Sequence, residues 1–312
     1  MAASELEGLR TVVIRSNDAA LEATFVPDAG MVCCSLRHDG AELLAPRSGV
    51  RAYAERGSTM GIPLLYPWAN RLAGFSYRAG EAIVELPRED PLLKLDEHGL
   101  PIHGVIPSAL SWELCDGPDG DSGERLRALM RWQRAELLAI FPYPHTVELS
   151  ARLQRTTLTI EVEIEATGER DVPISFGFHP YLSLPEGERG SWEVTLPVRE
   201  RLLLDSQMIP TGAREPLRER HFALARSAWD DAFAELLEPP VFTLAGAARR
   251  IELELLSGYD YAQLYAPPDS SFACFEPMTA PTNALISGEG LRFARAGESF
   301  RAAFAISVAK AS

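Results

Sequence analysis

The chain has 312 residues, 46% of them hydrophobic, which is enough apolar material for one large core or two modest ones. Its formal net charge of −14, with a pI near 5.0, disfavours nucleic acid and anionic membrane surfaces as partners, since both call for basic patches. The opening MAASELEGLR carries acids early and lacks the apolar run of a secretory leader, and no apolar stretch approaches a membrane span. The four cysteines, Cys33, Cys34, Cys115 and Cys274, form no C-x-x-C pair, so free thiols in a reducing cytoplasm are expected.

Along the chain, TVVIRSNDAALEATFV reads as an opening hairpin turned by Ser16, Asn17 and Asp18. GIPLLYPWANRLAGF, from 61 to 75, sets Tyr66, Trp68, Asn70 and Arg71 among prolines and glycines. Flat aromatic faces stack on the C–H side of a sugar, and Asn and Arg read hydroxyls. The same residues also suit a turn packed on the core. The polar stretch from 86 to 105 interrupts the strand rhythm and ends in His103-Gly104; loops of that length in compact domains tend to be functional.

HTVELSARL then places Val147, Leu149, Ala151 and Leu153 on one face, and LTIEVEIEA does the same with Leu158, Ile160, Val162 and Ile164. Both read as half-buried antiparallel strands. RIELELLS and SFRAAFAISV repeat the pattern nearer the C-terminus. SAWDDAFAELLEPP, from 227 to 240, is the one stretch that reads as a short helix, stopped by Pro239 and Pro240. With no repeat, linker or shift of composition, residues 1–312 are expected to form one all-β domain, a large antiparallel β-sandwich.

Two residues carry the strongest chemical signal. His179, in SFGFHPYLSLP, precedes a proline and is therefore held extended, with its ring on the face shared by Gly177 and Tyr181. Gly177 leaves room there for a ligand and Tyr181 offers a ring and a hydroxyl. Glu276, in ACFEPMTAPTNAL, repeats the arrangement before Pro277, where burial raises a carboxyl towards the range useful in proton transfer. Each also suits a polar residue that merely ends a strand. Asp230, in the Asp-Asp pair before Ala232-Phe233, suits a solvated or capping role equally well.

Taken in order, NRL, IHG, FHPY, DDAF and FEP resemble the motifs of the aldose 1-epimerase (galactose mutarotase-like) family, over about residues 60 to 285. The resemblance implies a β-sandwich with an open sugar cleft and no organic cofactor or metal. It makes His179 the general acid and Glu276 the general base, and assigns Arg71, His103 and Asp230 to the sugar hydroxyls. Asn70, Tyr181 and Trp68 would line the same cleft, and Asp231 is the alternative to Asp230. The protein is then a cytoplasmic isomerase acting on a small sugar, as a monomer or homodimer. A hexose 6-phosphate is the alternative substrate, with Arg51, Arg56 and Arg78 available near NRL. A sugar-binding protein that kept the cleft without turnover is a second alternative. A cupin-type metal site lacks its H-x-H, and a glycosidase would call for two carboxylates.

Overall fold

A computed structural model describes residues 4–18, 20–116 and 123–311. Strand makes up 52% of it and helix 9%, in antiparallel sheets, so the fold is all-β. The largest sheet has nine strands. In order across it they are Trp112–Asp116, Arg125–Trp132, His145–Gln154, Thr157–Ala166, Ser299–Lys310, Arg249–Ser257, Val241–Ala245, Glu193–Thr195 and His221–Ala223. A second sheet of eight strands runs Pro210–Pro216, Val198–Leu204, Trp229–Leu236, Tyr261–Ala266, Ala273–Met278, Gly177–Phe178 and Leu64–Leu65, with Tyr181–Leu182 also paired to Ala273–Met278.

The two sheets meet through interlocked rings. Phe178 meets Phe304 at 5.0 Å between centroids, and Phe242 meets Phe275 at 5.5 Å. All four are fully buried, and each contributes about 1.5–3 kcal/mol by leaving water. The alternation read from the sequence is what makes this possible. Val147, Leu149 and Leu153 oppose Ile164, Val162 and Leu158 across one ladder, inside the core, while their polar neighbours face out. The opening hairpin is present as Leu9–Arg15 and Leu21–Val26. Its turn is held by the Ser16 hydroxyl, which donates to Asp18 and accepts from the Leu21 amide at 3.0 Å.

The segment from 227 to 240 is not a helix. Residues Trp229–Leu236 form a strand between Val198–Leu204 and Tyr261–Ala266. A helix there would leave two ladders unpaired, and the strand sends Phe233 into the core while Ala232 and Ala234 pack on the other face with Leu202. Tertiary pairing outweighs the local preference of an Ala- and Glu-rich run. The stretch from 86 to 105 is also partly ordered into ladder, as the pair Leu93–Leu95 and Pro101–Val105. No helix among the described residues is long and apolar enough to cross a membrane.

Candidate active site

The site lies on the face of the eight-stranded sheet turned away from the nine-stranded one. In Ala273–Met278, Phe275 points into the core, so Cys274, Glu276 and Met278 point the other way. Gln263 is the direct cross-strand partner of Glu276, and Tyr181 pairs with Cys274, so both share its face. His179 falls between the two short strands Gly177–Phe178 and Tyr181–Leu182, its amide donating to Pro63 O at 3.2 Å. Its ring lies parallel to Tyr181 at 4.5 Å, as the shared face requires.

His179 Nε2 and Glu276 Oε1 stand 3.1 Å apart, both side chains buried. The other polar atom of each, His179 Nδ1 and Glu276 Oε2, has no hydrogen-bond partner among the described residues. Burial holds the imidazole down to about 3 from an ordinary 6.5, with the charges of Arg47 and Lys94 adding to the effect. Burial pushes the Glu276 carboxyl well above the usual carboxylate range, and Asp230 adds to that shift while Arg71 opposes it. Neither charged form is favoured alone, so the pair holds one proton between Oε1 and Nε2 and carries no net charge.

Around this pair runs a hydrogen-bonded chain. Asn70 Nδ2 donates to Gln263 Oε1 at 2.6 Å, and Gln263 Nε2 donates to Asp230 Oδ1. Arg71 Nη1 donates to Asn70 Oδ1 at 3.2 Å, while its Nε and Nη2 donate to Asp96 at 2.6 Å and Glu97 at 3.1 Å. The Asn70 amide donates to His103 Nδ1 at 3.2 Å. His103 is therefore neutral with its proton on Nε2, a donor for a hydroxyl, and burial together with His179 keeps it from charging. Its ring meets that of His179 edge-on at 5.8 Å.

Local backbone conformation makes these approaches possible. Asn70, His103 and Gly104 all have left-handed φ, of 56°, 63° and 72°. Gly104 pairs with Tyr66 in a parallel bridge, and a Cβ added to it would come 1.9 Å from the Tyr66 carbonyl oxygen. Tyr66 is in turn anchored in the core by its hydroxyl, which donates to His145 Nε2, while His145 stacks on Trp132 at 5.6 Å.

Four expectations are corrected here. Trp68 is 0% exposed and offers no face to a sugar, because its strand-like bridge to Ser175 turns the ring into the core. Tyr66 is likewise a core residue. Gly177 does not make room for a ligand: a Cβ there would meet Pro277 O at 2.6 Å, Met278 Sδ at 2.8 Å and Ala69 Cβ at 3.0 Å, so the space is filled by protein. Tyr181 is buried beneath His179, its hydroxyl sharing a 2.6 Å hydrogen bond with Thr59.

A family description for aldose 1-epimerase matches residues 12–307. The chain belongs to the aldose 1-epimerase family. A galactose mutarotase-like protein of Clostridium acetobutylicum superposes with a TM-score of 0.86 at 18% identity, covering 99% of this chain and 98% of that one. The Slr1438 protein of Synechocystis sp. PCC 6803 superposes with a TM-score of 0.79 at 22% identity, covering 100% and 98%. Protein YihR of Escherichia coli K12, described as uncharacterized, is 24% identical over 253 residues, 78% of this chain and 77% of its own length. The first two likenesses carry the galactose mutarotase-like fold.

Within this aldose 1-epimerase family member, strand alternation separates Asp230 from Asp231. Asp230 opposes Tyr265 and reaches Gln263 on the site face. Asp231 opposes Leu264 and accepts from Arg201 Nη1 at 3.0 Å on the other side. Asp230→Asn is expected to raise KM for a sugar by about tenfold, the value of one charge-assisted hydrogen bond, and Asp231→Asn to leave it unchanged. Steady-state mutarotation of both variants checks this. Gln263, buried at the centre of the chain of hydrogen bonds, was not singled out in the sequence. Its signal was there: YAQLYA and ACFEPM are two strands across a Pro-Pro-Asp-Ser-Ser turn, which sets Gln263 opposite Glu276.

Proposed function

We propose that this protein is an aldose 1-epimerase that interconverts the α and β anomers of a hexose by opening and reclosing the hemiacetal. The observation that carries the reading is the His179–Glu276 contact, a buried acid and base side by side, each with a polar atom left unpaired.

The reaction calls for this pairing. Ring oxygen and anomeric hydroxyl are bonded to the same carbon, so the groups that serve them must be neighbours. Glu276, as carboxylate, removes the proton from the C1 hydroxyl. His179, as imidazolium, gives a proton to the ring oxygen O5, and the C1–O5 bond breaks to leave an open-chain aldehyde. After rotation about C1–C2 the two groups return their protons in the opposite sense and the ring closes on the other face. The ion pair this uses has the same proton count as the neutral pair, and at 3.1 Å one transfer between Oε1 and Nε2 converts one into the other. Positioned acid and base groups contribute about 10²–10⁴-fold each. His103 Nε2–H, Asp230 and Arg71 surround the pair as donors and acceptors for ring hydroxyls, and Asn70 and Gln263 hold them in register.

The pH profile tests this. Gaining a second proton puts a positive charge in a buried site, and losing the last one leaves a negative charge there. Burial opposes both, so the single-proton form spans a wide range. The expected kcat/KM for anomer exchange is flat across neutrality. Its acid limb lies below 6.5, the ordinary imidazole value, and its alkaline limb lies far above the carboxylate range. A limb centred near pH 6.5, as for an isolated imidazole, would contradict the shared proton.

A further inference from the structure

The groups around the His179–Glu276 pair are polar, and the C–H faces of a sugar need apolar cover as well. Trp68, Tyr66, Tyr181 and Phe272 are all buried and provide none. Tyr265 is different. It stands two residues from Gln263 on Tyr261–Ala266, so strand alternation puts both on the site face, and it is partly exposed. Its cross-strand partners are Asp230 on one side and Cys274 on the other, while those of Gln263 are Ala232 and Glu276. Tyr261–Ala266 itself runs between the strands that carry Asp230 and Glu276. A molecule touching both carboxyl groups therefore lies across Gln263 and Tyr265. Gln263 is buried, and its amide already serves Asn70 and Asp230. Tyr265 has surface left to offer.

The Tyr265 ring is held from behind. It packs on the cluster of Ala45, Tyr181, Phe272 and Cys274, with 6.1 Å between its centroid and that of Phe272. It meets the His179 ring at 5.6 Å and 73°, so it borders the reacting pair itself. Its hydroxyl has no hydrogen-bond partner among the described residues. Burial raises the phenol above the ordinary tyrosine value, Arg47 opposes that shift and Asp230 adds to it, so the hydroxyl stays neutral and can donate or accept. A tyrosine placed in this way presents a fixed apolar face and a polar tip. A sugar ring is its complement, with C–H groups on its faces and hydroxyls at its rim. Because the ring is already packed, little side-chain entropy is lost on binding.

We propose that Tyr265 is a further substrate-binding residue: its ring packs against the sugar beside His179, and its hydroxyl hydrogen-bonds one of the sugar's hydroxyls. The site then discriminates against a sugar that lacks that hydroxyl, because the tyrosine oxygen is desolvated without a partner. Tyr265 thus fills the place expected of Trp68. This role rests on the sugar-site reading of Asp230 and the His179–Glu276 pair.

Tyr265→Phe and Tyr265→Leu test it, with dissociation constants for glucose and galactose from NMR titration of the full chain and KM from anomer exchange. Tyr265→Phe keeps a ring against Phe272 and His179 and removes one oxygen. It is expected to weaken binding of the preferred hexose about threefold to tenfold, the value of one neutral hydrogen bond. Tyr265→Leu removes the ring as well and should weaken binding by a further factor of about three. A structural disturbance would weaken every sugar alike, so the deciding measurement is a cycle with 1,5-anhydroglucitol and 2-, 3-, 4- and 6-deoxyglucose. The parent and Tyr265→Phe should bind one of these analogues equally, to within about twofold, and keep their difference for the others. Unchanged affinity for both hexoses in Tyr265→Phe, or a loss of the same size for every analogue, would overturn the contact. Absence of exchange with the parent protein would count against the enzymatic reading alone, because the binding cycle still decides the role of Tyr265.

Discussion

Glu276→Gln and His179→Asn should each lower kcat for anomer exchange by at least about 10²-fold while the protein stays folded. Both side chains are buried, so the stability half of this expectation needs argument. Glu276 sits where burial already opposes its charge, and Gln keeps the shape and the hydrogen-bonding capacity without it. Asn at 179 leaves a smaller side chain over Tyr181 but removes a ring that burial keeps neutral, so no unpaired charge is created. The loss should fall on kcat more than on KM, because Asp230, Arg71 and His103, the residues proposed to hold the sugar hydroxyls, remain. The two residues act on one proton inventory, so the double variant should be little worse than either single one. NMR exchange rates with a thermal melt on the same samples check this; a Glu276→Gln variant that turns over at the parent rate would remove Glu276 from the mechanism.

The second large effect is structural. Gly104→Ala is expected to cost about 2–5 kcal/mol of stability, and activity with it. Two penalties combine: a left-handed φ of 72° that Ala adopts only with strain, and a Cβ driven to 1.9 Å from the Tyr66 carbonyl oxygen. The backbone must separate there. The separation would break the Val105 amide bond to Tyr66 O and move His103, whose Nδ1 meets the Asn70 amide. Denaturant unfolding measures the cost. A Gly99→Ala control distinguishes φ strain from collision, since Gly99 shares a φ of 72° but a Cβ there meets nothing within 4 Å. Equal losses in the two variants would show that the close approach is unimportant.

Much of this fold can be read directly because alternation is a local signal. The strands at 145–154 and 157–166 have apolar residues on one face and Glu, Thr, Ser and Arg on the other, and each face reports its own burial. His179 and Glu276 are legible for a related reason: each follows an apolar run and precedes a proline, so its geometry is set by adjacent residues. What the sequence hides is pairing at long range. The run at 229–236 has helix-forming composition, and only its two partner strands make it a strand. Trp68 looks like a sugar platform among prolines and glycines, and only the bridge to Ser175 turns it inward. Gln263 and Glu276 are thirteen positions apart but opposed across a ladder. Arg71 combines both cases. The NRL motif marks it, but its ion pair with the buried Asp96 is visible only in the fold, and it gives the residue a structural duty beside the proposed one.

The most direct measurement is polarimetry on freshly dissolved α-D-glucose and α-D-galactose, with the protein, without it, and with Glu276→Gln in its place. The account predicts that the parent protein speeds the approach to anomeric equilibrium of at least one hexose in proportion to its concentration, with the final rotation unchanged, and that the variant does not. Relaxation at the uncatalysed rate with the parent protein, for these hexoses and for glucose 6-phosphate alike, would contradict it and leave a sugar-binding protein with the same cleft.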